Sequence, residues 1–595
     1  MSDETAHRPA GPRVRVDPQL LAGGILITLQ TIVRAGVVLP SYYWQDDFHH
    51  VELARRLGLS KEFLVRDYSG HLEVGQYFLY WLIGRDAGTS FLPAALSLLV
   101  LQLVASCLLL GVLRELFGRS PWLLLPFAGY LFTPLALPVA TWWAAGLQAL
   151  PLQIAMLLAL LGLVRAVRRR SWRWAAGSVL AHAIGLLFWE KALLILPTLV
   201  AVLVLVEWGR QPVRQRLRLL LRQWRFLAPH AVVAALYTAI YLSVVDSASL
   251  LGEDAQSVAA TSRDVVFRML LPGIFGGPWT TTGAENTVFP NTSALLAAFF
   301  ALLFLAVVGL SVWVRGPLAL QGWLLAVGYV AVDIALMQVG RAGFITLLAR
   351  DPRYITDSLP VLAIAFCAAF AGPVPARRTP RWFRRAAGST SVTVGSTAVL
   401  VASCLLTTLL LADGLQHEHS RNYVHGVVRQ LDANPGVSVI STALPATVSI
   451  STDLEGLLRA VGREREFDQP GTDVRMFDAL ANLRSITVIQ PTLAASGPVQ
   501  DCGWRIEGTW QSLGTLPPTS RRPQVLRVGY VTGQPATLHL TVGQDRQAVA
   551  VPAGVGHVTF VVTGQEGRVR ARVSDVASGG ICASDVVAGT PWPAD

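Results

Sequence analysis

Long apolar runs, separated by short arginine-bearing connections, set the pattern of this chain. Runs close to 20 residues, the length a helix needs to cross a hydrocarbon core, fall at 20–39, 91–113, 121–138, 145–165, 174–188, 192–208, 226–245, 293–314, 318–338, 356–373 and 392–412. They predict a polytopic α-helical membrane protein of about 11 transmembrane helices. The connections after the second, fourth, sixth, eighth and tenth runs carry Arg114 and Arg119; Arg165, Arg168, Arg169, Arg170 and Arg173; Arg210, Arg214, Arg216, Arg218, Arg222 and Arg225; Arg315; and Arg377, Arg378, Arg381, Arg384 and Arg385. Arginine marks cytoplasmic loops, so these links and the tail 1–19 are expected inside. Acidic residues gather at 46–86, 246–285 and 351–357, which the same alternation places outside. An odd number of spans then carries everything after 412 outside as well.

The first outer loop, 40–90, is too long for a turn and predicts helical stretches at 47–57 and 72–83. The second, with Tyr77, Phe78, Leu79, Tyr80, Trp81 and Leu82, is apolar but too short to span and is expected along the interface. The loop 246–292 opens polar, turns amphipathic at 263–271 and must bend at Gly273, Gly276, Gly277 and Pro278. Residues 413–500 read as a mixed α/β extracytoplasmic connector, with a helix near 417–432 and strands at 437–441 and 485–489. From 501 to 595 the runs alternate, as in 525–530 and 537–542, and short strands broken by glycine and proline predict a β-sandwich. No internal repeat is apparent.

Composition sharpens this picture. Over 595 residues, 52% are hydrophobic and only 15% charged, and the mean hydropathy is +0.48, too apolar for an ordinary soluble protein. The formal net charge of +11 sits in short arginine runs between apolar spans, which argues against a nucleic-acid partner. The first apolar run lacks a small-residue cleavage site and reads as an uncleaved helix. Cys107, Cys367 and Cys404 lie within apolar runs as buried hydrophobes, whereas Cys502 and Cys582 form an isolated pair in β-rich sequence and predict a disulfide. A disulfide requires an oxidising compartment, in agreement with the arginine signal.

Chemistry is concentrated where the first helix leaves the membrane. Tyr42, Tyr43 and Trp44 are suited to headgroup depth, and Asp46 and Asp47 follow at once. One carboxylate there can accept a proton from an attacking hydroxyl while its neighbour orients it or helps to hold a divalent cation. Equally, an aspartate at this point caps a helix. His49 and His50 could add acceptor or metal contacts, but adjacent histidines face different ways on a helix, and a solvated surface is the plainer reading. Arg34, late in the first span, is a headgroup anchor or a phosphate contact. In the β region, Trp504, Trp510, Tyr530 and Trp592 could stack on sugar rings or fill the core, the commoner role.

An acidic pair followed by Phe48 in the first outer loop, Trp142-Trp143 after a proline-containing helix end, Phe188-Trp189-Glu190-Lys191-Ala192 and Arg353-Tyr354 opening a span together resemble the GT-C membrane glycosyltransferases. The C-terminal β region is similar to the carbohydrate-binding modules of actinobacterial arabinosyl- and mannosyltransferases of that class. The resemblance implies an inverting glycosyltransferase that takes a sugar from a polyprenyl-phosphate donor to a cell-envelope glycan or glycolipid acceptor on the outer face of the plasma membrane. By it, Asp46 or Asp47 is the general base, with Asp46 preferred. Arg353 and Tyr354 meet the donor phosphate in a pocket shared with the acids, Lys191 neutralises the leaving phosphate, and Glu190 holds Lys191. A divalent cation (Mg, Mn or Ca) is an optional cofactor, and the residues name neither sugar nor protein partners. Two other readings start from the same residues. A transporter or flippase of lipid-linked sugars would use charges within the spans, such as Asp333 and His182, and a non-catalytic scaffold would display the β-domain for glycan binding.

Overall fold

The computed structural model describes residues 17–245, 255–284, 286–339, 349–370, 390–518, 523–574 and 580–594. The chain divides into two compact units: residues 1–42, 57–83 and 91–416, and residues 43–56, 84–90 and 417–595. The expected cytoplasmic tail up to residue 16, the start of the 246–292 loop and the arginines at 377–385 lie outside the described residues.

The first unit is helical. Among the described residues, seven helical stretches are long and apolar enough to cross a membrane, so the chain is a multi-pass α-helical membrane protein. The opening helix, Pro18–Val38, starts where Asp17 accepts a hydrogen bond from the Gln19 N–H and Pro18 occupies a position needing no donor. One 45-residue stretch, Ala294–Gln338, is far too long for a single crossing. It breaks at Gly316, whose φ of +69° no L side chain readily adopts, into helices Ala294–Arg315 and Ala319–Val339. Helices Trp172–Leu186, Ile195–Val202 and Ser358–Phe370 fall on the remaining apolar runs, and the second continues as a π-turn over Leu203–Glu207. Between the first two, the chain forms a tight 3₁₀ turn over Glu190–Leu194.

The Trp143–Arg169 helix is the buried centre, with 78% of its apolar window covered, against 11% for Trp224–Val244. Leu295, Leu302, Leu305, Leu324 and Leu409 stand more than half exposed on outer helices. Such faces are stable only against lipid or a partner. At one end of the bundle, Asp17 binds Arg114, Glu115 binds Arg165 and Arg168, and Glu207 binds Arg168, at 2.7–2.8 Å for the closest contacts. These are the connections that the arginine count assigned to one side. Links assigned to the other side also meet one another: Ser41 reaches the Thr141 carbonyl at 2.9 Å, His71 reaches Glu190 at 2.9 Å, and Thr287 reaches Asp351 at 2.9 Å.

The second unit is mostly β. A seven-stranded sheet runs β1 (Ser438–Val439), β2 (Val474–Phe477), β3 (Leu483–Ser496), β11 (Ile581–Pro593), β6 (Val525–Thr532), β9 (Gly554–Val561), with β4 (Trp504–Ile506) also paired to β11. A second sheet runs β5 (Gln511–Leu516), β10 (Gly567–Ser574), β7 (Ala536–Val542), β8 (Asp545–Val551). Strict in-out alternation along β7 gives the four-stranded sheet one apolar face, and Leu526, Val528, Phe560, Leu538, Leu540 and Val569 fill the space between the two sheets. Cys502 and Cys582 are bonded, their Cα atoms 4.9 Å apart. The large sheet crosses the expected 500/501 boundary, because β3 pairs with β2 through its first residues and with β11 along the rest. Trp504 and Tyr530 belong to the core, whereas Trp592 is 56% exposed, and Trp510 is half-buried beneath the guanidinium groups of Arg546 and Arg572.

Candidate functional site

In the second unit, the Asp46–Leu57 helix begins at the acidic pair, and the structure distinguishes the two residues. Asp47 is fully buried, and its carboxylate accepts the Trp44 N–H at 3.0 Å while the Trp44 carbonyl accepts the Asp47 N–H at 3.1 Å. This reciprocal pair closes the first turn in the manner of a capping box. Asp46 is half-buried and accepts the Ser451 hydroxyl at 2.8 Å. The turn is pinned from 445–451: Gln45, with φ +50°, gives its N–H to Val448 at 2.8 Å, and the Trp44 indole reaches Thr447 at 3.1 Å. The rings of His49 and His50 lie 5.7 Å apart at 56° to one another, and His50 is 2% exposed rather than solvated, because the helix turns that face inward. The metal-capable group among the described residues lies elsewhere, at His71, Glu73 and Glu190.

That group belongs to the first unit. One ligand atom from each residue lies within 4.8 Å of the others, and Glu73 also accepts from Gln148. The cluster is held by its backbone: Gly75 N–H binds the Leu187 carbonyl at 2.7 Å, and Tyr241 donates to the Gly70 carbonyl at 2.6 Å. Glu190 thus turns toward His71, and Lys191, next in sequence, points the other way.

Lys191 is buried and gives its ammonium to Asp333, to the Tyr354 carbonyl and, at 3.3 Å, to Asp357. Tyr329 donates to the second oxygen of Asp357 at 2.8 Å, and the Trp189 ring centre lies 4.8 Å from the ammonium. The expected hold of Glu190 on Lys191 is therefore taken over by Asp333, on the Ala319–Val339 helix, and Asp357, in the turn just before Ser358–Phe370. Reading the sequence for spans brought out Asp333 but passed over Asp357, which follows the Arg353-Tyr354 motif by three residues. A charged residue inside an apolar run was the available signal.

Arg353 sits on the short turn Pro352–Ile355, which Asp351 starts by accepting the Arg353 N–H at 3.1 Å. Its guanidinium also meets Asp351 at 2.9 Å and the Tyr354 hydroxyl at 2.5 Å. It lies over the rings of Trp142 and Tyr354, at 4.3 and 4.5 Å from their centres. Trp142-Trp143 and Arg353-Tyr354, read as separate motifs, are thereby brought into one place. The side chain keeps 22% of its surface accessible. A guanidinium held over aromatic rings is restricted in direction, as two-point phosphate contact requires.

An apolar groove of about 1450 Å³ in the same unit is walled by Thr133, Tyr130, Leu270, Phe300, Phe366 and Leu359, among others. Thr133 precedes the turn Pro134–Ala136, which packs on the Arg353 turn, and Leu359 follows Arg353 by six residues, while Arg353 itself is not part of the groove wall.

No family model and no curated protein matches the sequence. Among solved structures, the chain is similar to ArnT from Cupriavidus metallidurans, with 13% identity over 78% of this chain and 86% of that one, at a TM-score of 0.43. It is similar to the arabinosyltransferase EmbB from Mycobacterium smegmatis, with 13% identity over 98% of this chain and 66% of that one, at 0.25. It is also similar to the mycobacterial arabinofuranosyltransferase AftD, with 12% identity over 97% and 60%, at 0.37. The chain spans under two thirds of the length of the two mycobacterial proteins.

Proposed function

We propose that this protein is a membrane glycosyltransferase that moves a sugar from a polyprenyl-phosphate donor to a cell-envelope glycan or glycolipid, with Asp46 as the general base. The observation that carries the reading is that one helical unit holds both an Arg353 guanidinium lying over aromatic rings and an apolar groove roomy enough for an isoprenoid tail, walled by Thr133, whose following turn packs on that of Arg353. A lipid phosphate needs both a fixed cation for its head and a dry channel for its tail. Asp46, whose neighbour Asp47 is engaged in the turn, suits the role of base.

In the reaction, an acceptor hydroxyl oxygen attacks the anomeric carbon and its proton passes to the Asp46 carboxylate. The bond from that carbon to the phosphate oxygen breaks, and polyprenyl phosphate leaves with the electron pair. Attack opposite the leaving group inverts the anomeric centre. Since the leaving group is already good, positioning and charge stabilisation supply most of the acceleration. One imidazole and two carboxylates at His71, Glu73 and Glu190 would suit Mn better than Mg or Ca, and such an ion would offset negative charge on phosphate oxygens. The active face is taken as extracytoplasmic, consistent with the Cys502–Cys582 bond and the arginine-rich opposite links.

The test is transfer from defined polyprenyl-phosphate sugars by the purified chain in lipid. A new glycosidic bond made by the native protein and lost in Asp46→Asn supports the reading. Movement of lipid-linked sugar across proteoliposomes without bond formation would transfer the assignment to transport, for which the buried Lys191, Asp333 and Asp357 provide an ionisable group.

A further inference from the structure

Gln30 and Arg34 stand one turn apart on the inner face of the Pro18–Val38 helix, 1% and 3% exposed. One guanidinium N–H of Arg34 donates to the Thr133 carbonyl at 2.9 Å. Its Nη1, and both the oxygen and the nitrogen of the Gln30 amide, are buried with no hydrogen-bond partner. No carboxylate among the described residues pairs with this arginine. A guanidinium cannot shed its charge, and a cation enclosed among helices without a counter-charge is costly enough to mark a functional position. An amide orphaned at both ends beside it repeats the demand, since buried polar atoms are nearly always bonded.

The missing partner must bring negative charge and several acceptor atoms on a small head. It must also reach the site from the apolar side. Thr133, which holds Arg34, and Tyr130 both wall the large groove. The helix Leu124–Phe132 packs on the first helix and also on Thr390–Leu411, whose Ser403 lines the groove as well.

We propose that Arg34 and Gln30 form a binding site for the phosphate of a lipid whose long apolar tail lies in the adjoining groove. The proposal rests on the reading of the groove as a tail channel given above, but not on the transfer chemistry. In it, Arg34 supplies two N–H donors and Gln30 one, and the phosphate supplies the counter-charge that the fold lacks.

The experiment measures binding of a polyprenyl phosphate to the full-length protein in lipid nanodiscs by native mass spectrometry. The matching polyprenol and inorganic phosphate are run as separate ligands. Arg34→Gln and Gln30→Leu are expected to weaken polyprenyl phosphate by about ten- to a hundredfold, the loss typical of a charge-assisted contact. Polyprenol binding should not move, and Arg34→Lys should restore part of the loss. Equal affinity in native protein and Arg34→Gln overturns the site, as does Arg34-dependent binding of inorganic phosphate with no preference for the lipid. If Arg34→Gln does not fold, Gln30→Leu decides on the same readout. Asp46→Asn separates this proposal from the enzymatic one: unchanged lipid binding with lost transfer supports both, whereas unchanged KM in an active Arg34→Gln enzyme sinks this site alone.

Discussion

The indole of Trp44 lies flat on the imidazole of His417, ring centres 4.7 Å apart and planes 4° from parallel. His417 is 6% exposed, and burial pushes its imidazole down to about 3 from the usual value of 6.5. The folded state therefore holds it neutral, while the unfolded chain takes up a proton below about pH 6.5. Its contribution is intact above the unfolded value and is lost as pH falls through the window from 6.5 toward 3. The maximal slope is about 1.4 kcal/mol per pH unit, or roughly 2 kcal/mol by pH 5. Thermal unfolding of the native chain should fall across that window. His417→Asn, which tolerates the left-handed φ of 54° and cannot titrate, should show a flatter profile. Parallel profiles would show that another group governs the acid sensitivity.

The two adjacent aspartates should fail differently. Asp46→Asn is expected to lower transfer by about 10² to 10⁴ with the unfolding temperature kept, as removal of a general base does. Asp47→Ala removes the buried cap on Trp44 and should cost about 1 kcal/mol or more of stability. Rates and melting curves on both variants check this, and a folded, fully active Asp46→Asn removes the base from the scheme.

Arg353→Lys preserves charge but not the guanidinium that lies over the Trp142 and Tyr354 rings. The expected result is a rise in donor KM of about tenfold, the scale of one charge-assisted contact, with acceptor KM unchanged. Initial-rate kinetics with each substrate varied in turn measure it.

Lys191 gives the sharpest stability test. Lys191→Met would strand Asp333 and Asp357 in the bundle and should destabilise by about 3–5 kcal/mol. The triple variant with Asp333→Asn and Asp357→Asn removes the stranded charges and should recover much of that loss. A triple variant no more stable than Lys191→Met would contradict the ionic account. The readout is thermal unfolding in detergent.

Reduction of Cys502–Cys582, or Cys502→Ser, opens a crosslink across a sequence separation of 80 residues. The chain-entropy model gives a loss on the order of 4 kcal/mol. The loss should appear in unfolding of the isolated 417–595 segment if that segment folds, and otherwise in limited proteolysis of the intact chain.

Much of the helical part was legible because an apolar run near 20 residues has few alternatives to a helix in lipid. The alternating runs and the cysteine pair identified the sandwich for a similarly local reason. What the sequence concealed was pairing. Nothing near Lys191 announces Asp333 and Asp357, which arrive from more than 140 residues away in the chain. His71 and Glu73 were unremarkable within a loop until the turn at Glu190 came beside them. Asp46 and Asp47 were interchangeable on paper, and only the direction of the Trp44 N–H divided them. Arg34 looked like a boundary residue by position, yet its neighbours enclose it.

The 14-residue β3 strand carries a practical consequence for dissecting this chain. Because β3 borders β11 along most of its length, a fragment cut at residue 501 would strip β11 of one neighbour and bare a long row of backbone donors and acceptors. Such a piece invites strand exchange and fibre-like stacking. Sugar-binding measurements on it would then report an aggregate, and a cut ahead of the helix Glu418–Ala433 is the one that leaves the sheet whole.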